Sequence, residues 1–236
     1  MWGNIVNNPV EEPRLRVWDL PLRLFHWIFA LAIVGAIGSA KADVMWAHER
    51  LGLLILALLV FRVIWGFVGG HHARFANFLV WPRQLIVWMH RQRHETINKP
   101  EVGHSPLAGY SVLGLLGIPL VMAITGTVST DGILFDGPLA HLVPGWNDIA
   151  AKTHHRISVI LFALVGLHIA AIIFYKIVRK KSLTTAMIHG RADAKPSQLN
   201  GQEGHISAQK TVLGLLLMAG LIAAAQLLIL LRPAYF

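Results

Sequence analysis

The chain has 236 residues, of which 55% are hydrophobic and only 14% are charged, and its mean hydropathy is +0.55. A soluble domain carries about 25% charged residues, so this composition indicates an integral membrane protein. The absence of cysteine excludes disulfides, zinc–thiolate sites, iron–sulfur clusters and covalently attached c-type haem in this chain. The net charge of +9 does not indicate nucleic-acid binding, because Lys and Arg are ordinary in the cytoplasmic loops of multi-span proteins.

Five apolar stretches each approach the length of about 20 residues that an α-helix needs to cross a bilayer. They cover residues 22–40, 46–67, 106–128, 153–178 and 211–231, and a polar tail, residues 1–20, precedes them. The first stretch also resembles a signal peptide, because Ala40, Lys41 and Ala42 look like a cleavage site. The region before it is long and contains acidic residues, so we interpret it as a retained helix.

Two segments outside the spans have compositions of their own. Residues 81–94 read WPRQLIVWMHRQRH, where apolar side chains alternate with Arg and His, and Pro82 suits a first helical turn. This pattern predicts an amphipathic helix on the inner membrane surface. Residues 182–210 are largely polar and are predicted to form a cytoplasmic linker to the last span.

The distribution of basic residues orients the chain. With the N-terminus in the cytoplasm, sixteen of the 21 Lys and Arg residues fall in inner segments. The five on the outer side are Lys41, Arg50, Lys152, Arg156 and Arg232. Because cytoplasmic loops carry an excess of Lys and Arg, we predict a multi-pass protein of the bacterial inner membrane with a cytoplasmic N-terminus.

The fourth span contains two histidines on one stripe. His154 and His168 are 14 residues apart, which in an α-helix is about 21 Å and nearly four whole turns, so both rings lie on the same face. An ionisable side chain inside a membrane helix is costly and indicates a functional site.

Two more histidines match this pair in depth. His48 opens the second span on the outer side, as His154 opens the fourth, whereas His26 lies near the inner end of the first span, as His168 does in the fourth. Four histidines in two pairs are what two six-coordinate haem b groups require, since imidazole ligates iron without adding net charge. With both axial positions filled, such a site favours one-electron transfer over oxygen activation.

Other residues near these histidines suit the same role. Small residues stand four positions after three of them, namely Ala30, Gly52 and Ser158. We expect Arg23 on the inner side, and Arg50 and Arg156 on the outer side, to neutralise haem propionates, with Arg62 a weaker candidate for the inner haem. His155 adjoins His154 but lies off the shared face, so we assign it a surface or supporting role.

Several short segments resemble the bacterial cytochrome b561 family, which overlaps with the b-type cytochrome subunits of membrane-bound nickel–iron hydrogenases. They are RLFHW at 23–27, HERLG at 48–52, FRVIWGFVG at 61–69, GHSPLAG at 103–109 and GLH at 166–168. The resemblance covers about residues 14–181. It implies that the ligands are His26, His48, His154 and His168, holding two b haems in a four-helix core.

The expected fold is an all-α membrane protein: a four-helix di-haem bundle at residues 21–181, a linker at 182–210 and a fifth transmembrane helix at 211–236. The fifth span departs from the simplest family members. His104 matches a family motif, but its role stays open between capping the third span, contacting a propionate and handling protons at a quinone site.

The leading functional hypothesis is electron transfer between the quinone pool and a periplasmic partner, either a c-type cytochrome or a dehydrogenase or hydrogenase subunit, with the direction open. The outer loop carries Asp131, Asp136 and Asp148, which suits a basic partner. One alternative, an enzyme, is a superoxide:quinone oxidoreductase in which Arg50, Lys152 and Arg156 steer the anion. Another is a non-haem metal-binding protein, although the spans contain few carboxylates that would favour it.

Overall fold

A computed structural model of the chain describes residues 15–94, 105–130, 132, 135–180, 182–192 and 206–233. Its main helices are α1 (Leu20–Lys41), α2 (Met45–Val68), α3 (Pro82–His94), α4 (Pro106–Val128), α5 (Asn147–Ile177), α6 (Leu183–His189) and α7 (Ala208–Leu227). Five of them, α1, α2, α4, α5 and α7 with its following turn, are long and apolar enough to cross a membrane. The prediction of an all-α, multi-pass membrane protein is therefore confirmed.

Side-chain caps set where several helices begin. The Asp19 carboxylate accepts a hydrogen bond from the Leu22 amide at 2.8 Å, and Ser105 and Ser207 cap α4 and α7 in the same way. The fourth span differs most from its prediction, because α5 begins at Asn147 rather than residue 153. The Asn147 side chain donates to two carbonyl oxygens before it in the chain, which fixes this polar extension of the helix.

The four helices α1, α2, α4 and α5 form the predicted bundle. Helix α2 packs between α1 and α4, and α5 packs along α4. A central apolar cluster joins all four helices, and its buried members are Ala32, Ile33, Ala36, Ile55, Leu59, Ala123 and Leu161. The core of the bundle thus lies midway between the membrane surfaces rather than at either end.

Helix α7 lies outside this bundle, against the opposite face of α2. Gly214 permits the close approach, because a Cβ atom there would lie 2.6 Å from the Trp65 indole. At the outer end, the Gln226 amide donates to the Arg50 carbonyl at 3.0 Å, and Arg232 forms an ion pair with Glu49. The fifth span is therefore a lateral support for α2.

The inner ends of α1 and α2 are joined by one buried carboxylate. Besides the Leu22 amide, Asp19 accepts hydrogen bonds from Trp65 Nε1 at 3.1 Å and from the Gly70 amide at 3.2 Å. Burial raises the pKa of the Asp19 carboxyl, although these donors oppose the shift. Each donor comes from a different part of the chain, so Asp19 fixes the relative position of the two helices.

The residues directly after α5 fold back onto α1. Helix α6 ends at Gly190, whose left-handed φ of 74° turns the chain so that Arg191–Ala192 (β2) pairs antiparallel with Leu15–Arg16 (β1). Trp27 Nε1 donates to the Met187 carbonyl at 3.4 Å. The first part of the predicted linker, residues 182–192, is thus an ordered cap on the inner end of α1. The rest of that linker at 193–205, like most of the predicted tail at 1–14, lies outside the described residues.

Candidate metal centre

The structure brings His48 of α2 and His154 of α5 together at the outer end of the bundle. Their ring centroids are 6.0 Å apart and their planes are nearly perpendicular, at 87°. Two imidazoles on opposite sides of one metal ion, each with a metal–nitrogen bond of about 2 Å, have centroids about 6 Å apart. The pair therefore has the spacing that two axial ligands of a single iron require.

Backbone carbonyls fix both outer rings. His48 Nδ1 lies 2.9 Å from the Ala36 oxygen of α1, and His154 Nδ1 lies 2.8 Å from the Met122 oxygen of α4. Since a carbonyl only accepts, each Nδ1 carries the proton and each Nε2 keeps a free lone pair for a metal. Gly126 makes room for the His154 ring, because a Cβ atom there would lie 3.2 Å from it.

The second pair, His26 of α1 and His168 of α5, lies toward the inner end. Both side chains are half-buried, and the two rings lie within electrostatic range of each other. His26 Nδ1 is buried and has no hydrogen-bond partner among the described residues. A buried polar nitrogen without a partner is costly, so this ring fits a site that a bound group completes.

An apolar layer separates the two histidine pairs. Leu161 is seven residues from both His154 and His168, and only 5% of its surface is exposed. It packs in the central cluster with side chains of α1, α2 and α4. The two candidate sites are thus about 21 Å apart along α5, with no charged side chain in the cluster between them.

The structure places the predicted arginines differently from one another. Arg23 donates to the Ile188 carbonyl of α6, while its Nε is buried without a partner in the described part of the chain. Arg50 turns toward α7, where Nη1 lies 3.4 Å from the Gln226 oxygen, and Arg156 is exposed on α5. Arg50 is therefore directed to the fifth helix, which weakens its expected role at the outer pair.

Arg62 is the functional candidate that sequence reasoning ranked too low. Its side chain is only 2% exposed, and its guanidinium lies 4.6 Å from the centroid of the Phe75 ring. Its Nη1 is buried and unpartnered among the described residues. The signal available in the sequence was its position 14 residues after His48, the same spacing that separates the two histidines of α5.

The remaining histidines do not extend either pair. His155 is exposed beside His154, in keeping with the surface role expected of it. His104 and Asp131 lie outside the described residues. Within the described ranges, no group of three or more His, Cys, Asp or Glu side chains is arranged to hold a metal ion. The two candidate centres are therefore pairs, suited to a metal that arrives with ligands of its own.

Comparison with known proteins supports this interpretation of the site. The sequence model of the family described as prokaryotic cytochrome b561 matches residues 17–190, which contain all four histidines and exclude α7. The chain is 28% identical over 216 residues to a "Probable Ni/Fe-hydrogenase B-type cytochrome subunit" of Rhizobium leguminosarum bv. viciae, covering 77% of this chain and 90% of the relative. It is 29% identical to a protein of the same name from Azotobacter chroococcum mcd 1, covering 76% and 89%. No solved structure matches the chain.

Proposed function

The chain belongs to the prokaryotic cytochrome b561 family and is a membrane b-type cytochrome of electron transfer, and from this premise we propose that it holds two b haems. His48 and His154 ligate the outer haem, and His26 and His168 ligate the inner one. The observation that carries the proposal is the 6.0 Å separation of the His48 and His154 rings, with both Nδ1 atoms hydrogen-bonded to carbonyls.

In this proposal the protein holds and insulates the two haems. A bound haem supplies a one-electron iron couple, and two imidazoles on one iron leave no position for oxygen. The carbonyls of Ala36 and Met122 keep the outer rings in one tautomer and orientation. The apolar layer around Leu161 excludes water and charge from the space between the sites.

We further propose that the two haems connect the quinone pool with a redox partner at the outer membrane face. The relatives are named as subunits of nickel–iron hydrogenases, which supports a hydrogenase as that partner. A periplasmic c-type cytochrome is the alternative that the acidic outer loop supports. The excess of basic residues in inner segments supports an inner-membrane location with the N-terminus in the cytoplasm.

The two other hypotheses from the sequence have less support. Superoxide steering relied on Arg50, which hydrogen-bonds with Gln226 of α7. Binding of a bare divalent cation requires more protein ligands than a pair of imidazoles provides. Reduction of quinone by the purified protein supplied with superoxide, in the absence of any partner, is the result that would restore the first of these.

The proposal is tested by the absorption spectrum and haem content of the purified protein. We expect a Soret band, a sharp band on reduction and two non-covalent haems per chain. His154→Ala should lose one haem, whereas His155→Ala is the matched control, because it removes an exposed neighbouring imidazole and should keep both. A pigment-free protein from haem-replete cells, or equal haem loss in the two variants, would contradict the assignment.

A further inference from the structure

Arg62 is a buried charge that the described residues do not satisfy. Only 2% of its surface is exposed, and Nη1 has no hydrogen-bond partner in the part of the chain that the structure describes. The Phe75 ring lies against the guanidinium, at 4.6 Å from centroid to Cζ. An aromatic face compensates only part of the cost of burying a cation, so the guanidinium requires an anionic partner.

The nearest carboxylate in this region is already engaged. Asp19 lies within electrostatic range of Arg62, but no ion pair joins them. Both Asp19 oxygens instead accept hydrogen bonds from the Leu22 amide, the Trp65 indole and the Gly70 amide. Asp19 therefore supplies background negative charge, and the hydrogen-bonding capacity of the Arg62 guanidinium remains available.

The position of Arg62 follows from the helical repeat. Arg62 stands 14 residues after His48 on α2, as His168 stands 14 residues after His154 on α5. Both helices run inward from rings that are 6.0 Å apart, so both reach the same level after about 21 Å. Ile55 and Leu59, between His48 and Arg62 on α2, are buried in the central cluster with α1, α4 and α5. This stripe of α2 therefore faces the bundle interior.

We propose that Arg62 binds a carboxylate of the inner haem and sets its reduction potential; this inference rests on the proposed inner haem at His26 and His168. Haem carries two propionates, and the planar guanidinium donates two parallel hydrogen bonds to one carboxylate. Arg23, whose Nε is also buried without a partner in the described chain, lies on α1 near the same end. The fixed positive charge of Arg62 favours the reduced haem, which carries one more negative charge.

The test is a potentiometric titration of the two haems in Arg62→Gln, with the haem content measured in parallel. At a fixed ambient potential, we expect the ratio of reduced to oxidised inner haem to fall roughly tenfold, while the outer haem is unchanged. Arg62→Lys should restore most of the shift, because it keeps the charge and loses only the fork. Arg179→Gln removes an exposed charge just beyond α5 and should leave both haems as they are.

Each outcome decides the proposal. Two haems with unchanged potentials in Arg62→Gln would overturn it, and so would an equal shift in Arg179→Gln. If Arg62→Gln does not accumulate, Arg62→Met removes the charge and keeps the apolar stem, and the same titration applies. The shift should persist in a His48→Ala background, which retains only the inner haem. Failure of the underlying function is distinguishable, because the unsubstituted protein would then lack one or both haems.

Discussion

The outer and inner histidine pairs differ in how far the protein itself completes them. At the outer end, both rings are fixed by backbone carbonyls and lie 6.0 Å apart. At the inner end, His26 Nδ1 and Arg62 Nη1 are both buried without partners in the described residues. The outer site is therefore largely pre-formed, whereas the inner site depends on the group that it binds.

This difference has a physical consequence for assembly. A pre-formed site loses little conformational freedom when its ligand binds, so its affinity is high and its loss affects the fold little. A site with unsatisfied buried groups is destabilising until it is filled, so binding there contributes directly to the stability of the fold. We therefore expect the inner haem to contribute more to folding than the outer one.

The largest expected effect comes from removing the proposed ligands one pair at a time. His48→Ala should abolish the outer haem and keep the inner one, giving about half of the original haem content. His168→Ala should abolish the inner haem and also lower the yield of folded protein, because Arg62 then lacks its partner. Haem per protein, with the thermal midpoint of each variant, measures both effects.

The comparison fails if the two variants behave alike. Equal loss of both haems from His48→Ala and His168→Ala, with the protein still folded by circular dichroism, would show a single coupled site. A more stable His168→Ala than His48→Ala would reverse the proposed order of the two ends. His141→Ala, which removes an exposed imidazole of the outer loop, serves as the control for histidine loss in general.

A second prediction concerns the layer that separates the two ends. Leu161→Ala should destabilise the bundle by about 2–5 kcal/mol, because it opens a cavity where α1, α2, α4 and α5 meet. Because Leu161 is equidistant from both pairs, we expect the two haems to be lost at one temperature on heating. Leu167→Ala is the matched control, since Leu167 is 66% exposed on the same helix. A similar destabilisation by both variants would show that the layer has no special role.

The spans and the pairing of the histidines by depth could be predicted from the sequence for the same reason. Apolar length reports membrane crossing, and a helix of known rise converts residue number into depth. The start of α5 could not be predicted in this way, because it depends on Asn147 binding carbonyls of the preceding loop and helix end. Such contacts join residues whose proximity only the folded chain creates.

The roles of the arginines were the least predictable part of the site. Arg50 was expected near the outer pair because it is two residues from His48, but two residues rotate the side chain to another face of the helix. It meets Gln226, which is 176 positions away in the sequence. Arg62 is far from any histidine in sequence, and helical periodicity brings it to the inner level. Arginine positions depend on helix rotation, which proximity along the chain does not report.

A smaller effect should follow from crowding the outer pair. Gly126→Val would place side-chain atoms against the His154 ring, because even a Cβ atom lies 3.2 Å from it. Displacement of a ring held by a carbonyl typically costs roughly tenfold in metal affinity, so the outer haem should be partly lost and the inner one retained. Gly117→Val on the same helix is the control, since nothing lies within 4 Å of its Cβ position. An unchanged outer haem in Gly126→Val would mean that the ring adjusts freely.

The smallest effect on the haems should come from the fifth helix, which contacts neither histidine pair. Gly214→Val would push α7 away from α2, because a Cβ atom there lies 2.6 Å from the Trp65 indole, and overpacking of this kind costs about 1–3 kcal/mol. Gly220→Val, where nothing lies within 4 Å, should cost little. Both variants should keep two haems with unchanged potentials, measured by titration and thermal melts. A shift confined to the inner haem would instead show that α7 acts on that site through Trp65 and Asp19, and that the dependence of the inner end extends beyond its ligand.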